Sequence, residues 1–246
     1  MTIKVAVVGA TGRMGKLALE LIEAVQDLHL HAAIDSKSNL TDVLGADVIF
    51  EVTRLDVSER VVEFAIENRI PVLVGTSGWS AAKLEALGAK LDSESPVVAI
   101  VPNFSVGSML ASAFAAHAAK FYDSIEIVEA HHAGKIDSPS GTAVRTAELI
   151  AKSREGKTQP LIPGVGQQAR GEVVAGIPIH SLRLHGVSAK QEVLLGGDDE
   201  LLSVSHEVTS VRAYAQGILL GLRVATIGKG LLVGLDQVMA AGEKLV

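Results

Sequence analysis

Residues 3 to 8, "IKVAVV", are nearly all apolar, rich in valine, and run into a glycine. From Arg13 to Val25 the apolar positions Met14, Leu17, Ala18, Leu21, Ile22 and Val25 recur at intervals of three and four. The first pattern predicts a strand and the second a helix with one buried side. The alternation continues with "LHAAI" and "ADVIF" as strands, "VSERVVEFAIEN" as a helix, "PVLVG" as a strand, "AAKLEALGAKL" as a helix and "PVVAIV" as a strand. Strands this continuously apolar belong in a parallel sheet with helices on both faces. A doubly wound, Rossmann-like α/β unit is therefore expected over the first hundred residues.

After Asn103 the pattern changes. A helix of small residues, "VGSMLASAFAAHAAKF", precedes "SIEIVEAH", where apolar and polar residues alternate with a period of two. That alternation predicts a sheet with one covered face. A second helix should follow the Pro-Ser-Gly-Thr turn. The Gly-, Pro- and Gln-rich segment from Glu155 to Arg170 reads as a loop, and "IPIHSLRL", "QEVLLGG" and "LLSVSHEV" read as strands. Helical spacing returns in "YAQGILLGLRVATIG", which would pack back on the first unit. The expected organisation is a dinucleotide-binding domain at 1–103 and 213–246, and between them, at 104–212, a smaller α+β domain with a mixed, largely open sheet.

Composition narrows the function classes. Hydrophobic residues make up 48% of the chain and charged residues 20%, the balance of a packed protein rather than a disordered one. A net charge of −6 offers no basic field for nucleic acid or an anionic membrane. With no cysteine, disulfides, thiolate metal sites and cysteine nucleophiles are excluded. "MTIKVAVVGATGRMG" lacks the pattern of a signal peptide, and a cytoplasmic protein is expected.

Gly9-Ala10-Thr11-Gly12-Arg13-Met14-Gly15 lies between a predicted strand and a predicted helix and fits G-x-x-G-x-x-G, a variant of the dinucleotide fingerprint. Glycines there let the backbone turn tightly and approach a pyrophosphate at a helix N-terminus. Asp35, at the end of the next predicted strand, suits an adenosine ribose diol. It favours NADH, whereas Arg13 and Lys37 nearby would accommodate NADPH, so both cofactors stay open.

The stretch "EAHHAGKIDSPSGTA", Glu129 to Ala143, sets His131 and His132 side by side with Lys135 close behind. Metal binding is one reading, but neighbours on a strand point to opposite faces and no further ligands complete a set. A strand end with one histidine in the core and one in solvent is another. The third is a catalytic site, in which histidine supplies a proton, lysine binds an anion, and the Ser140-Gly141-Thr142 turn offers backbone N–H groups to a carboxylate.

The same stretch resembles the signature segment of the 4-hydroxy-tetrahydrodipicolinate reductases of lysine and diaminopimelate biosynthesis. "VVGATGRMG", "VGTSGW", "VPNFSVG", "IPIHSLRLHG" and "GLLVGLDQVM" are similar to further family segments, so the resemblance spans nearly the whole chain. It implies an NADH- or NADPH-dependent reduction of a small dicarboxylate substrate, with hydride transfer to ring C4. His131 would be the proton donor and Lys135 a second donor or a carboxylate anchor. His132, Ser140, Gly141 and Thr142 would hold carboxylates. Gly9, Ala10, Thr11, Gly12, Arg13, Met14, Asp35, Gly75, Thr76, Ser77, Val101, Pro102, Asn103 and Phe104 would contact the cofactor. A homotetramer built through the second domain's sheets is also implied.

The chain departs from the family pattern in places. Glu51-Val52-Thr53-Arg54-Leu55 stands where Asp-Phe-Thr-x-Pro is usual, Lys190 where histidine is common, Ser138 for an alanine and Trp79 for a phenylalanine. Two competing functions are another two-domain NAD(P)-dependent oxidoreductase, acting on a sugar or an aldehyde, and a non-catalytic nucleotide sensor. The first leaves the carboxylate-binding groups around His131 unexplained, and the second needs only the first domain.

Overall fold

The computed structural model describes residues 2–92, 94–157, 160 and 166–243. The chain divides into two compact units, Met1–Val106 with Val211–Val246, and Gly107–Ser210.

The first unit runs β1 (Ile3–Val8), α1 (Arg13–Ala24), β2 (Leu28–Ile34), β3 (Val48–Glu51), α2 (Leu55–Glu67), β4 (Val72–Val74), α3 (Ala81–Gly88) and β5 (Val98–Ile100). It resumes after the second unit with a 3-10 turn (Val211–Tyr214) and further elements that complete the sheet. Among those, α6 (Ala215–Ala225), β11 (Leu231–Val233) and α7 (Leu235–Glu243) take their numbers from the order along the whole chain. The sheet order is β11-β5-β4-β3-β1-β2, every pairing parallel. Ala6, Val8, Ile49, Val72, Val74, Val98 and Ile100 form one core with Val61, Val62 and Ala65 of α2 and Leu87 of α3. The alternate positions Val5, Val7, Phe50, Leu73 and Ala99 are buried too, and α6 packs on β3, β4 and β5 beside α1. Helices therefore cover both faces of the inner strands, which is why β3, β4 and β5 carry no polar alternation, whereas the edge strand β2, "LHLHAAI", does and is largely exposed. The expected doubly wound sheet holds, with β11 as an added edge strand.

The second unit contains α4 (Val106–Ala118), whose first residue belongs to the first unit, then β6 (Ser124–His132), α5 (Gly141–Ser153), β7 (Glu172–Val174), β8 (Ile177–Leu184), β9 (Ala189–Gly197) and β10 (Glu200–Val208). Its sheet is mixed, in the order β10-β9-β6-β8-β7, with only β6 and β8 parallel. Ala115 and Ala119, together with Ala143, Ala147 and Ile150 of α5, cover Ile125, Ile127, Ile177, Ile179, Val193 and Leu195. The opposite face exposes Val173, Leu182, Leu184 and Leu201. Arg154, buried just after α5, donates to the carbonyls of Ala119, Tyr122 and Asp123, which ties α5 to the end of α4.

Three details differ from the sequence expectation. The segment 155–170 was expected to be irregular throughout, but Gln168–Arg170 forms a 3-10 turn. The part of that expectation covering 158–159 and 161–165 lies outside the described residues. Neither β7 nor β11 was expected: three residues display no period, and the equally short β4 and β5 were legible only through the apolar runs "PVLVG" and "PVVAIV" around them. No helix among the described residues is long and apolar enough to cross a membrane.

Candidate active site

In the first unit the strand order places a switch point between β1 and β3, since the chain leaves β1 for β2 on one side and returns to β3 on the other. Crevices at such points, outside the carboxyl ends of the strands, are where α/β sheets bind ligands. Gly9 follows β1 with φ +94°, and a Cβ there would sit 2.4 Å from the Val52 carbonyl oxygen. A Cβ on Gly15 would come within 2.2 Å of the Gly9 carbonyl oxygen, so the glycine loop closes directly onto α1. Gly12 is different: its Cβ would find only the Gly9 oxygen at 3.3 Å, and Gly12 caps α1 without a side chain. Thr11, Gly12 and Arg13 are exposed there, so the start of α1 is open to an anion such as a pyrophosphate.

Gly9 and Ala10 donate to the Ile34 carbonyl at 3.0 and 3.1 Å, which places Asp35 beside the loop. The Asp35 carboxyl is held below its ordinary value by the Lys37 backbone N–H first and the Ser38 hydroxyl second. It is therefore ionised at neutral pH and an acceptor only. Gly75, Thr76 and Ser77 leave β4 at the same end of the sheet, and Val101, Pro102, Asn103 and Phe104 leave β5. Ser77 and Pro102 are exposed, but Val101 and Phe104 are buried, the latter edge-on to Phe50 at 5.7 Å. Neither of those two offers surface to a ligand, at 0% and 2% exposure. A flexible glycine turn at an open helix start, with an ionised acid beside it, fits a dinucleotide.

In the second unit the strand pairing assembles a second site. Ile125, Ile127, Glu129 and His131 share the covered face of β6 because side chains alternate. Pairing sets Ile127 beside Val193 and Ile179, Glu129 beside Gln191 and Ser181, and His131 beside Ala189 and Arg183. The covered face thus passes from apolar rows to polar ones as β6 ends. Ser140 caps α5 at this point: its hydroxyl accepts from the Ala143 N–H at 3.3 Å, and its own N–H donates to Glu129 at 3.2 Å.

Glu129 is 0% exposed and holds the cluster together. Arg183 donates to both of its oxygens at 3.0 Å, and the His131 ring lies against it with Nδ1 2.5 Å from Oε2. Burial pushes the Glu129 carboxyl up, but hydrogen bonds from Arg183, Ser181 and His131 outweigh it and leave the group below its ordinary value. An ionised carboxylate only accepts, so Nδ1 of His131 carries the proton and Nε2 is the ring's other working atom. The His131 imidazolium is disfavoured by burial first; Glu129 opposes this, Lys135 and Arg183 reinforce it, and the net value is lowered.

Lys135 reaches both Asp137 oxygens at 2.7 Å, and Arg183 also donates to the Asp137 carbonyl at 2.7 Å. His131, Lys135 and Ser140 are therefore gathered around Glu129, Arg183 and Asp137. His132 is not: it is exposed, of opposite parity on the strand, and its ring lies over the turn at Gly134. Gly141 opens α5 with nothing within 4 Å of a Cβ position, and the Thr142 carbonyl accepts from Thr146 at 2.8 Å. No group of three or more His, Cys, Asp or Glu among the described residues is placed to hold a metal.

Glu129, Arg183 and Asp137 were given no role from sequence. Glu129 stands two residues before His131, which puts both on one strand face, and that period was a usable signal. Arg183 had none, because its register with β6 is written nowhere locally.

Residues 3–104 match the family described as dihydrodipicolinate reductase, N-terminus, and residues 107–239 the one described as dihydrodipicolinate reductase, C-terminus. Among curated proteins, 4-hydroxy-tetrahydrodipicolinate reductase of Clavibacter michiganensis subsp. michiganensis is 52% identical over 97% of this chain and 87% of its own. The enzyme of that name from Streptomyces griseus subsp. griseus is 42% identical, over 96% of this chain and 97% of its own. Among solved structures, dipicolinate-bound dihydrodipicolinate reductase from Paenisporosarcina sp. TG-14 superposes with a TM-score of 0.82 at 29% identity, covering 96% and 99% of the two chains. GenD2 from gentamicin A biosynthesis, in complex with NAD, shares the fold with a TM-score of 0.64 at 15% identity, covering 99% of this chain and 92% of its own.

Proposed function

The chain belongs to the dihydrodipicolinate reductase family, and from that premise we propose how its residues reduce 4-hydroxy-tetrahydrodipicolinate to tetrahydrodipicolinate in lysine and diaminopimelate biosynthesis. The observation that carries the reading is the polar end of the second unit's covered face, where His131, Arg183 and the opening of α5 gather around Glu129, with Lys135 beside them on Asp137.

The substrate is a small dianion. Lys135 anchors one carboxylate by leaving Asp137, and the start of α5, with Ser140, Gly141 and Thr142, receives it from the helix end. His132 meets a carboxylate from the solvent side. Glu129 keeps the His131 ring fixed with Nε2 outward, and His131 delivers the proton that balances the hydride. A nicotinamide bound there would supply that hydride to ring C4; the C4 hydroxyl is lost with a hydrogen from C3 as water, and the His131 proton is taken up at C3 in its place. Gly9 to Met14 would hold its pyrophosphate, Asp35 its adenosine ribose, and Gly75 to Ser77 the nicotinamide half, together with the Val101–Phe104 segment through its accessible residues Pro102 and Asn103. NADH, NADPH or both serve: Asp35 favours the ribose diol of NADH, while Lys37, whose backbone N–H bonds Asp35, and Arg13 on the glycine loop would receive a 2′-phosphate.

The exposed apolar positions of the second unit's sheet, Val173, Leu182, Leu184 and Leu201, suit packing of sheet on sheet in a homotetramer. The protein works in the cytoplasm, where a cysteine-free chain meets reduced nicotinamide. Kinetics of His131→Gln and Lys135→Ala test the site. His131→Gln is expected to lower kcat by roughly 10²- to 10⁴-fold with little change in cofactor binding. Lys135→Ala should act on both kcat and the substrate KM. Full activity in both variants would refute the assignment.

A further inference from the structure

We propose that Glu51, the last residue of β3, is a positioning residue for the nicotinamide cofactor, fixing the two loops that leave β3 and β4 beside the glycine turn. The proposal rests on the cofactor reading above. Glu51 is 0% exposed, and its carboxylate accepts from neutral groups on three separate segments. The Thr53 backbone N–H donates to Oε1 at 2.7 Å, the Thr53 hydroxyl donates to the same oxygen, the Thr76 hydroxyl reaches it at 3.0 Å, and the Ser58 hydroxyl on α2 reaches Oε2 at 2.5 Å. The Thr53 N–H is shared with the Thr76 hydroxyl at 2.9 Å, which closes a ring of contacts between the two loops.

Burying a carboxylate costs several kcal/mol, and hydroxyl donors without a cation recover only part of it. An apolar residue of similar size would serve stability better, as Val48, Ile49 and Phe50 do on the same strand. What the carboxylate achieves is placement. It stands next to the switch point between β1 and β3, and Val52, the next residue, donates to the Val8 carbonyl at 2.9 Å. The Val52 carbonyl is the atom against which Gly9 closes, and a Cβ on Gly75 would meet the Val52 Cγ1 at 2.8 Å. Glycine turn, Val52–Thr53 segment and Gly75–Ser77 segment are thus packed as one surface, with Glu51 under it. Turning the Glu51 side chain would release Thr53 and Thr76 together.

The test is a fluorescence titration of NADH, and separately NADPH, into purified Glu51→Gln and Ser58→Ala proteins, alongside thermal melts. Ser58 touches Glu51 from α2, so Ser58→Ala loosens the carboxylate without altering either loop. Both variants are expected to weaken cofactor binding, Glu51→Gln by roughly tenfold, the size of one hydrogen bond to a charged group. Their effects should be non-additive in the double variant, and pyridine-2,6-dicarboxylate affinity should stay at the wild-type value. Folded variants that bind both cofactors as the parent does would overturn the proposal. Should Glu51→Gln fail to fold, Ser58→Ala with unchanged cofactor affinity overturns it alone. A parent protein that binds neither NADH nor NADPH would instead remove the cofactor reading on which the proposal stands.

Discussion

At His131 two opposing influences meet in one ring. Burial, with Lys135 and Arg183 adding to it, favours the neutral imidazole, while the Glu129 carboxylate favours the cation. The balance lies below the ordinary value of 6.5, so a proton-donating His131 is lost from the free enzyme as pH rises through a point on the acid side of 6.5. Glu129→Gln removes the one attraction that raises that value. The break in the kcat/KM profile should move to lower pH, and activity at pH 7 should fall while cofactor binding is kept. A dianion seated beside the ring acts in the opposite sense, so pyridine-2,6-dicarboxylate should raise the His131 value when followed by its ring NMR signals. At this scale His131 and Lys135, which the structure brings together while His132 points to the other side of the strand, were legible as a pair because they are close in the chain and chemically unusual together. Arg183 and Asp137 were not, since a guanidinium 54 residues from Glu129 acquires its role only from strand register.

The elements were legible where they display a period or lie in a continuous apolar run, as the three-residue strands β4 and β5 do. Helix α1 and strand β8 display their periods over 12 and 8 residues, whereas β7 and β11, at 3 residues each, take their conformation from the neighbour they pair with. Two helix starts do comparable work in the two units, and each makes a prediction. At α5 the Ser140 hydroxyl caps the first turn, and Ser140→Ala should cost about 1 kcal/mol of stability in denaturant unfolding. At α1 the close approach of Gly15 to the glycine turn leaves no room for a methyl group. Gly15→Ala should displace the turn, cost roughly 1–3 kcal/mol of stability from overpacking, and weaken NADH binding by about tenfold.

At the scale of the whole molecule, a doubly wound sheet and a one-sided mixed sheet divide the work in a way the hydropathy pattern already announces. Continuous apolar strands mark the sheet that helices enclose, and alternating strands mark the one with a free face. That pattern could not say where on either sheet the chemistry lies. In the proposed account the buried carboxylates Glu51 and Glu129 mark those places, and both look from sequence like ordinary acids on strands. Glu51 ends β3 and Glu129 lies near the end of β6, with neutral donors around the first and the Arg183 guanidinium on the second. The difference accords with the proposed division of labour, a cofactor above one and a dianion beside the other.

The central claim is the reaction itself, and it is tested by following NADH or NADPH absorbance when the purified protein meets substrate generated from pyruvate and aspartate semialdehyde by the preceding synthase. The account predicts oxidation of the nicotinamide that depends on the synthase product and is abolished by pyridine-2,6-dicarboxylate. Cofactor binding without any oxidation, under conditions where the synthase is active, would contradict it.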